Sequence, residues 1–216
     1  MTLFGYRYSV YLRIVRLVLA EKGLTARHVE IDPFSALSTD FMRLHPFGRV
    51  PVLDHDRFVV YETAAITRYL DEAFEEPPLQ PVGAQARARM VQIVAIANAY
   101  AYWPLVRQVY AQAVFGPADG QATDRAELAK GLASAPRVLA ALEVLVAEGL
   151  WTGSNGGDQP VTLADLHLAP MIGAFAAAPQ GANMLGNYPA LARWWAQISA
   201  RPSWAATDAG LPNRHI

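Results

Sequence analysis

The spacing of apolar residues changes once along the chain, at a cluster of prolines, and this change limits the fold more than any other feature. Before the cluster, short apolar runs typical of strands alternate with segments of helical spacing, whereas the long alanine-rich segments after it have helical spacing alone. Prolines between residues 77 and 81 cannot continue a helix, so they indicate a linker. The sequence therefore predicts a mixed α/β domain over residues 1–76, a linker over 77–83 and an all-helical domain over 84–216.

The first domain is predicted to contain its elements in the order β-α-β-α-β-β-α. Its clearest helix carries Val10, Ile14, Leu17 and Val18 on one face, and Gly23 ends it. A strand-helix-strand start usually forms a right-handed parallel unit, and the last two strands lie close enough in sequence to form a hairpin. The predicted segments are residues 2–4, 10–21, 27–31, 34–44, 51–53, 58–61 and 63–74, with a hairpin turn at 54–56. Of these, 34–44 is predicted to be helical or irregular.

The second domain is predicted to contain four helical segments, separated by breaks such as the glycine-rich residues 153–157. Thr162 and Asp165 have the spacing of a capping box ahead of an apolar run, which indicates a folding role rather than a catalytic one. Trp194 and Trp195 are interpreted as packing residues. The helical segments are residues 84–114, 123–148, 163–177 and 188–200.

The composition excludes several kinds of site and partner. The chain has no Cys, which rules out disulfides, thiolate zinc sites and a cysteine nucleophile. The net charge of −1, with both signs mixed along the chain, argues against a nucleic-acid or anionic-membrane surface. Arginines interrupt the apolar N-terminus, and no uninterrupted apolar run reaches about 20 residues. We therefore expect a cytoplasmic protein with no membrane or nucleic-acid partner.

Four segments of the chain resemble the glutathione S-transferase superfamily in sequence, order and spacing. Each motif alone has low specificity, but together they cover nearly the whole chain on the predicted α/β-plus-helical pattern. The resemblance implies a thioredoxin-like first domain, an all-helical second domain, and glutathione as co-substrate without a metal. The segments are SVYLRIVRLVLAEKGL (9–24), HPFGRVPVL (45–53), YETAAITRYL (61–70) and TLADL (162–166).

The segment before the third strand carries the first implied binding residues. Pro51 opens that strand, a position where proline needs a reason because it cannot donate to the strand ladder. The resemblance implies a cis Val50–Pro51 bond, which would turn the Val50 N–H and C=O towards an extended peptide. It also implies that Arg49 reaches the glycine carboxylate of glutathione, with a solvated turn residue as the alternative. His45, where relatives usually have Asn, is interpreted as a turn residue and not as a metal ligand.

Glu62 and Thr63 lie where the fourth strand passes into a helix. Thr63 suits an N-cap, and a free helix N-terminus also binds anions because its N–H groups point along the helix dipole. In similar proteins the second residue of this pair, usually Ser, holds the γ-glutamyl carboxylate, and the preceding acid meets the γ-glutamyl amino group. The resemblance thus implies that Glu62 and Thr63 bind glutathione, since Thr keeps the hydroxyl.

Ser9 precedes the first helix, where it can act as an N-cap and, by resemblance, activate the glutathione thiol. A thiol has a pKa near 8.5, and a hydroxyl that donates to a thiolate contributes about 1.5–3 kcal/mol. This lowers the thiol pKa by roughly one to two units, and the helix dipole adds about 0.3–1 kcal/mol in the same direction. Tyr8 and Tyr6 are alternatives, because some members of the superfamily use a tyrosine near the end of the first strand. A site without a side-chain activator is the third alternative.

A group of aromatic residues in the helical domain suits an apolar electrophile. Tyr100, Tyr102 and Trp103 flank Pro104, which would clash with the Tyr100 carbonyl and bend the helix. We expect Tyr100 and Trp103, with Tyr6, to line the electrophile pocket. An ordinary core cluster is the alternative.

The predicted function is glutathione transferase, in which the glutathione thiolate attacks a small electrophile. A glutathione-dependent isomerase or peroxidase could use the same thiolate. A noncatalytic glutathione-S-transferase-like binding module is the alternative from a different functional class. The resemblance also implies a homodimer.

Overall fold

The computed structural model describes residues 1–149 and 161–212. The glycine-rich break predicted at 153–157 lies outside the described residues. None of the helices in the described parts of the chain is both long and apolar enough to cross a membrane.

The chain divides into two compact units. The first unit contains Met1–Leu79 together with Pro202–Ala209, a segment from the other end of the chain. The second unit contains the described residues of Gln80–Arg201 and Gly210–Ile216. The division between the units therefore falls within the proline-rich segment.

The first unit is built on a four-stranded sheet with the strand order β2-β1-β3-β4. Strands β1 and β2 are parallel and are joined by a helix, while β1–β3 and β3–β4 are antiparallel pairs. This arrangement confirms the predicted thioredoxin-like domain with its terminal hairpin. The elements are β1 (Thr2–Gly5), α1 (Val10–Glu21), β2 (Arg27–Glu30), α2 (Thr39–Leu44), β3 (Val52–His55), β4 (Phe58–Tyr61) and α3 (Thr63–Ala73).

The structure refines one local prediction in this unit and contradicts another. The segment 34–44, predicted to be helical or irregular, is helical over α2 only, because the Ser38 hydroxyl accepts from the Phe41 N–H at 3.1 Å and starts the helix there. The β3–β4 turn is not at 54–56 but at Asp56 and Arg57, which have φ angles of 53° and 72°. Positive φ at both positions is typical of a two-residue hairpin loop of type I′, so β3 continues to His55 before the turn.

A buried ion pair joins the C-terminal ends of α1 and α3. The Lys22 Nζ lies 2.9 Å from Asp71 Oδ1, and the two side chains are 0% and 5% exposed. Lys22 also donates to the carbonyl oxygens of Phe74 and Pro77, at 2.6 and 2.8 Å. Asp71 accepts from the Leu79 N–H at 2.8 Å. Lys22 and Asp71 thus make four polar contacts, which hold the segment 74–79 against the ends of α1 and α3.

A short helix from the far end of the chain, α10 (Pro202–Ala206), packs on α1. The Arg13 guanidinium lies 3.5 Å from the centroid of the Trp204 ring and donates to the Trp204 carbonyl at 2.9 Å. The Ser203 hydroxyl donates to the Glu21 carboxylate. This helix was not predicted from the sequence, and these contacts attach it to α1.

The second unit consists of helices in its described parts. The predicted long segments are present, and a further helix, α8, was missed. The first long segment passes from α4 into a helix with i→i+5 hydrogen bonds, such as the one from the Gly116 N–H to the Ala111 carbonyl, and Pro104 lies within it. The elements are α4 (Ala84–Ile96), the π-helical segment (Ala97–Phe115), α5 (Gly116–Ala118), α6 (Arg125–Glu148), α7 (Leu163–Ala177), α8 (Pro179–Leu185) and α9 (Pro189–Ser199).

The predicted capping box is present at the start of α7. Asp165 Oδ2 accepts from the Thr162 N–H at 2.7 Å and from the Thr162 hydroxyl at 3.0 Å. Asp165 Oδ1 accepts from the Trp194 Nε1 at 2.8 Å. Burial raises the pKa of Asp165 to about 6, against the opposing effect of these hydrogen bonds. The network holds α9 on α7, so Trp194 is a packing residue as expected.

Candidate functional site

Three neighbouring strands of the first unit have their ends at one edge of the sheet. Phe4 of β1 pairs with Val52 of β3, and Val52 pairs with Tyr61 of β4. Strands β1 and β4 end at or just after this row, whereas β3 begins at it. The sequence-predicted site residues of this unit therefore leave the sheet from the same edge, in the segments 6–9, 49–51 and 62–63.

Ser9 lies at the N-terminus of α1 with extended backbone angles, φ −71° and ψ 125°. Its N–H donates to the Tyr6 carbonyl at 2.8 Å, and its Oγ accepts from the Leu12 N–H at 3.4 Å. The predicted N-cap is therefore present, through a long hydrogen bond. A hydroxyl that accepts through a lone pair keeps its own proton to donate, so the cap leaves Ser9 able to donate to a ligand.

An aromatic cluster lies beside Ser9. The Tyr6 ring makes edge contacts with Tyr8 and Phe34, at centroid distances of 5.4 and 5.8 Å. The Phe34 side chain is 70% exposed. Phe34 was not predicted as a site residue. It follows β2 and so leaves the sheet at the same edge as Ser9, since β1 and β2 are parallel.

The backbone before β3 has the predicted cis bond between Val50 and Pro51. A tight turn leads into it, in which the Gly48 N–H donates to the His45 carbonyl at 2.9 Å. Gly48 has a φ of 60°, a conformation that glycine adopts without strain. Arg49 is exposed. Val50 is half-buried and lies just before the paired residues of β3.

Glu62 has a φ of 69° and a ψ of 117°, which is unfavourable for a residue with a side chain. Its carbonyl accepts from the Ile66 N–H at 3.0 Å, so Glu62 is the N-cap of α3 and Thr63 is its first helical residue. The expectation that Thr63 is the N-cap was therefore wrong. Residues with such strained backbone angles persist only where the surrounding structure holds them, and they are common at binding sites.

His45 is buried and contacts the strand end at this edge of the sheet, which the sequence did not predict. The side chain is 2% exposed, and its ring packs on Tyr61 at a centroid distance of 4.6 Å. Its Nδ1 accepts from the Phe47 N–H at 3.3 Å. Burial lowers the pKa of His45; Glu62 acts in the opposite direction and Arg49 in the same direction. His45 is in the turn as expected, but it is a buried residue of the site.

The predicted electrophile residues of the helical domain lie in the second unit. Tyr100 and Trp103, on the π-helical segment, are 66% and 58% exposed, so neither is a core residue. Tyr102 is half-buried and Pro104 is buried.

Two family models match the chain, one for each part of it. The model for the glutathione S-transferase N-terminal domain matches residues 3–78, and the model for the glutathione S-transferase C-terminal domain matches residues 106–202. The chain belongs to the glutathione S-transferase superfamily of enzymes. The resemblance stated from its four sequence motifs is thereby confirmed.

Similarity to members of this superfamily extends over nearly the full length. Glutathione S-transferase 3 of Zea mays is 28% identical over 212 residues, which cover 97% of this chain and 94% of that protein. The solved structure of glutathione S-transferase III in apo form is 28% identical, with a TM-score of 0.81, over 98% of this chain and 96% of that one.

A relative of another kind matches a shorter part of the chain. The stringent starvation protein A homolog of Pasteurella multocida is 42% identical over 89 residues. These residues cover 41% of this chain and 42% of that protein. The higher identity is therefore confined to less than half of either chain.

Proposed function

We propose that this member of the superfamily is a glutathione transferase that joins the glutathione thiolate to a small electrophile. The observation that carries the proposal is the meeting of three features at one sheet edge: a cis-proline backbone, a positive-φ acid before a helix, and a hydroxyl at the start of another helix. Glutathione has an extended peptide backbone, a charged γ-glutamyl end and a thiol. Each feature of the edge matches one part of this molecule.

The backbone of glutathione would bind beside the cis bond. The Val50 N–H and C=O lie before the first paired residue of β3, so they can pair with an extended peptide in the manner of an added strand. Arg49 is exposed one residue earlier, where its guanidinium can bind the glycine carboxylate through charge-assisted hydrogen bonds.

The γ-glutamyl end would bind at the N-terminus of α3. The Thr63 N–H and hydroxyl suit its carboxylate, because the helix dipole favours negative charge at this end. The Glu62 carboxylate suits the γ-glutamyl amino group. The positive φ of Glu62 supports this assignment, since it turns the chain sharply into the helix.

The thiol would lie at the N-terminus of α1. A hydrogen bond from the Ser9 hydroxyl and the dipole of α1 both stabilise the thiolate, whose sulfur then attacks an electrophilic carbon. A C–S bond forms, and the leaving group departs with the electron pair of the broken bond. Tyr6, Tyr8 and Phe34 offer aromatic surface for the electrophile, and Tyr8 or Tyr6 is the alternative activator. Tyr100 and Trp103 remain predicted electrophile contacts.

Calorimetry with glutathione tests the binding step. We expect the wild-type protein to bind glutathione at millimolar or lower concentrations, and Thr63→Val or Arg49→Ala to weaken binding about tenfold or more. The reason is that each change removes a hydrogen bond to a charged group, which contributes about 1.5–3 kcal/mol. Arg43→Ala is the matched control, because it removes an exposed guanidinium of the same unit that bonds to Asp40. Absence of binding by the wild type would contradict the proposal.

Turnover separates the transferase from the alternatives. Conjugation of a panel of electrophiles supports the transferase, whereas isomerase or peroxidase activity with the same thiolate supports the second interpretation. A noncatalytic binding module is the remaining candidate. Glutathione binding without turnover of any kind would support that module. The expected homodimer is tested by sedimentation.

A further inference from the structure

The imidazole of His45 takes the place that an Asn or Asp side chain often takes in a turn. The His45 carbonyl accepts from the Gly48 N–H, while its Nδ1 accepts from the N–H of Phe47, two residues on. Asn and Asp make the same side-chain bond to the backbone in Asx turns. The turn that leads to Arg49 and Val50 is thus held by a ring nitrogen.

The same ring also contacts the other half of the proposed site. It packs on Tyr61 with an interplanar angle of 36°, and Tyr61 directly precedes Glu62. With 2% of the residue exposed, the ring fills the space between the two segments. One side chain therefore touches both the turn that carries Arg49 and the strand end that carries Glu62.

We propose that His45 is a positioning residue that holds the two halves of the glutathione site together, and that its protonation loosens them and weakens glutathione binding. This inference rests on the proposed function. It assigns His45 no contact with the reacting atoms, because the ring contacts Phe47 and Tyr61.

The chemistry of the ring explains why a proton would act in this way. A neutral imidazole has one acceptor nitrogen, whereas the imidazolium has two donors and cannot accept the Phe47 N–H. Protonation would also place a charge in a buried position near Arg49, and these effects exceed the attraction of Glu62, so the pKa of His45 lies below 6.5. Asp40 and Arg43 of the adjacent α2 bond to each other at the surface.

The sign of the pH effect follows from the lowered pKa. As the pH falls below 6.5, the unfolded chain binds a proton at His45 more readily than the folded chain does. The stability contributed by the neutral ring is therefore present above pH 6.5 and is lost as the pH falls through the folded pKa. A ligand that needs the intact turn is expected to lose affinity as the pH falls below the pKa of His45 in the folded, ligand-free protein.

The variant His45→Asn separates the effect of the hydrogen bond from the Phe47 N–H from the effect of protonating the ring. Asn can accept the Phe47 N–H through its side-chain oxygen but does not take a proton in this pH range. His45→Leu removes both the acceptor and the titration. The probe is S-methylglutathione, which has no thiol, so its binding does not report the ionisation of sulfur.

The experiment is calorimetry of S-methylglutathione with the wild type and both variants between pH 7.5 and 5. Once the pH is below the pKa of the ring, we expect the affinity of the wild type to fall with each further pH unit, by a factor that approaches about ten. At pH 7.5 His45→Asn should bind less tightly than the wild type, because it keeps the acceptor for the Phe47 N–H but loses the ring contact with Tyr61, and it should show no such loss as the pH falls. His45→Leu, which lacks the acceptor as well, should bind weakly throughout. The three proteins differ only at residue 45, so a difference between their pH profiles is assigned to that residue.

The other outcomes are distinct. Parallel profiles for the wild type and His45→Asn, or an affinity that rises as the pH falls, would overturn the role of His45 and leave the proposed function intact. Failure of the wild type to bind glutathione and S-methylglutathione at pH 7.5 would overturn both. If His45→Asn does not fold, nuclear magnetic resonance of the wild type decides: the His45 ring and the Phe47 amide should titrate together, and the ligand should lower their common pKa. A pKa that the ligand leaves unchanged would refute the proposal.

Discussion

Lys22→Met is expected to destabilise the first unit by about 3–5 kcal/mol, since it leaves Asp71 as a buried charge without its cation. The carbonyl oxygens of Phe74 and Pro77 lose a donor in the same step. The measurement is urea unfolding, combined with hydrogen exchange of the α1 amides, which reports on this unit alone. A loss below about 1 kcal/mol would contradict the importance given to the pair.

Two further proteins serve as controls for this prediction. Arg68→Ala breaks an exposed i,i+4 pair with Glu72 in the same unit, and pairs of this kind contribute about 0.3–0.5 kcal/mol. The double variant Lys22→Met with Asp71→Leu removes both charges, so it should recover part of the stability lost by Lys22→Met. The recovery is incomplete because the Leu79 N–H still loses its acceptor.

Ser9→Ala is expected to lower kcat/KM for conjugation by about ten- to a hundredfold at pH 6.5, and by much less at high pH. The reason is that the bound thiol regains a pKa roughly one to two units higher, which reduces the thiolate fraction only below that pKa. The measurement is the pH profile of kcat/KM with an electrophile that the wild type conjugates. A loss of equal size at every pH would contradict thiolate activation by this hydroxyl.

The controls for Ser9 separate catalysis from folding. Ser9→Ala also removes the N-cap bond to the Leu12 N–H, which costs about 1 kcal/mol of stability and is measured independently by unfolding. Ser9→Thr keeps the hydroxyl and should retain most of the rate. Tyr8→Phe should leave the profile unchanged. If Tyr8→Phe shows the loss instead, Tyr8 is the activator.

The sequence predicted those parts of the fold that depend on local pattern. Helices α1 and α7 begin and end where periodicity, capping residues and breakers indicate. Helix α10 was missed because it has only five residues, and it is stabilised by contacts such as the one from Arg13 to Trp204, which are 191 residues apart in sequence. A short helix held by distant contacts has no periodic signal of its own.

The candidate site was predictable to the extent that its residues occur in recognisable motifs. The cis Val50–Pro51 bond and the Ser9 cap are present as expected. The positive φ of Glu62 and the burial of His45 were not predictable, because both depend on how β4 pairs with β3 and on which loop then covers the strand end. Such features depend on the register between strands, and the sequence around a single residue does not determine that register.

The titration of the thiol of glutathione bound to the wild-type protein tests the central claim most directly. Thiolate absorbs in the ultraviolet and the thiol does not, so absorbance against pH gives the pKa of the bound thiol. We predict a value roughly one to two units below that of free thiols near 8.5, because the Ser9 hydroxyl and the α1 dipole favour the thiolate. A bound thiol that titrates at the same pH as free glutathione would contradict the account.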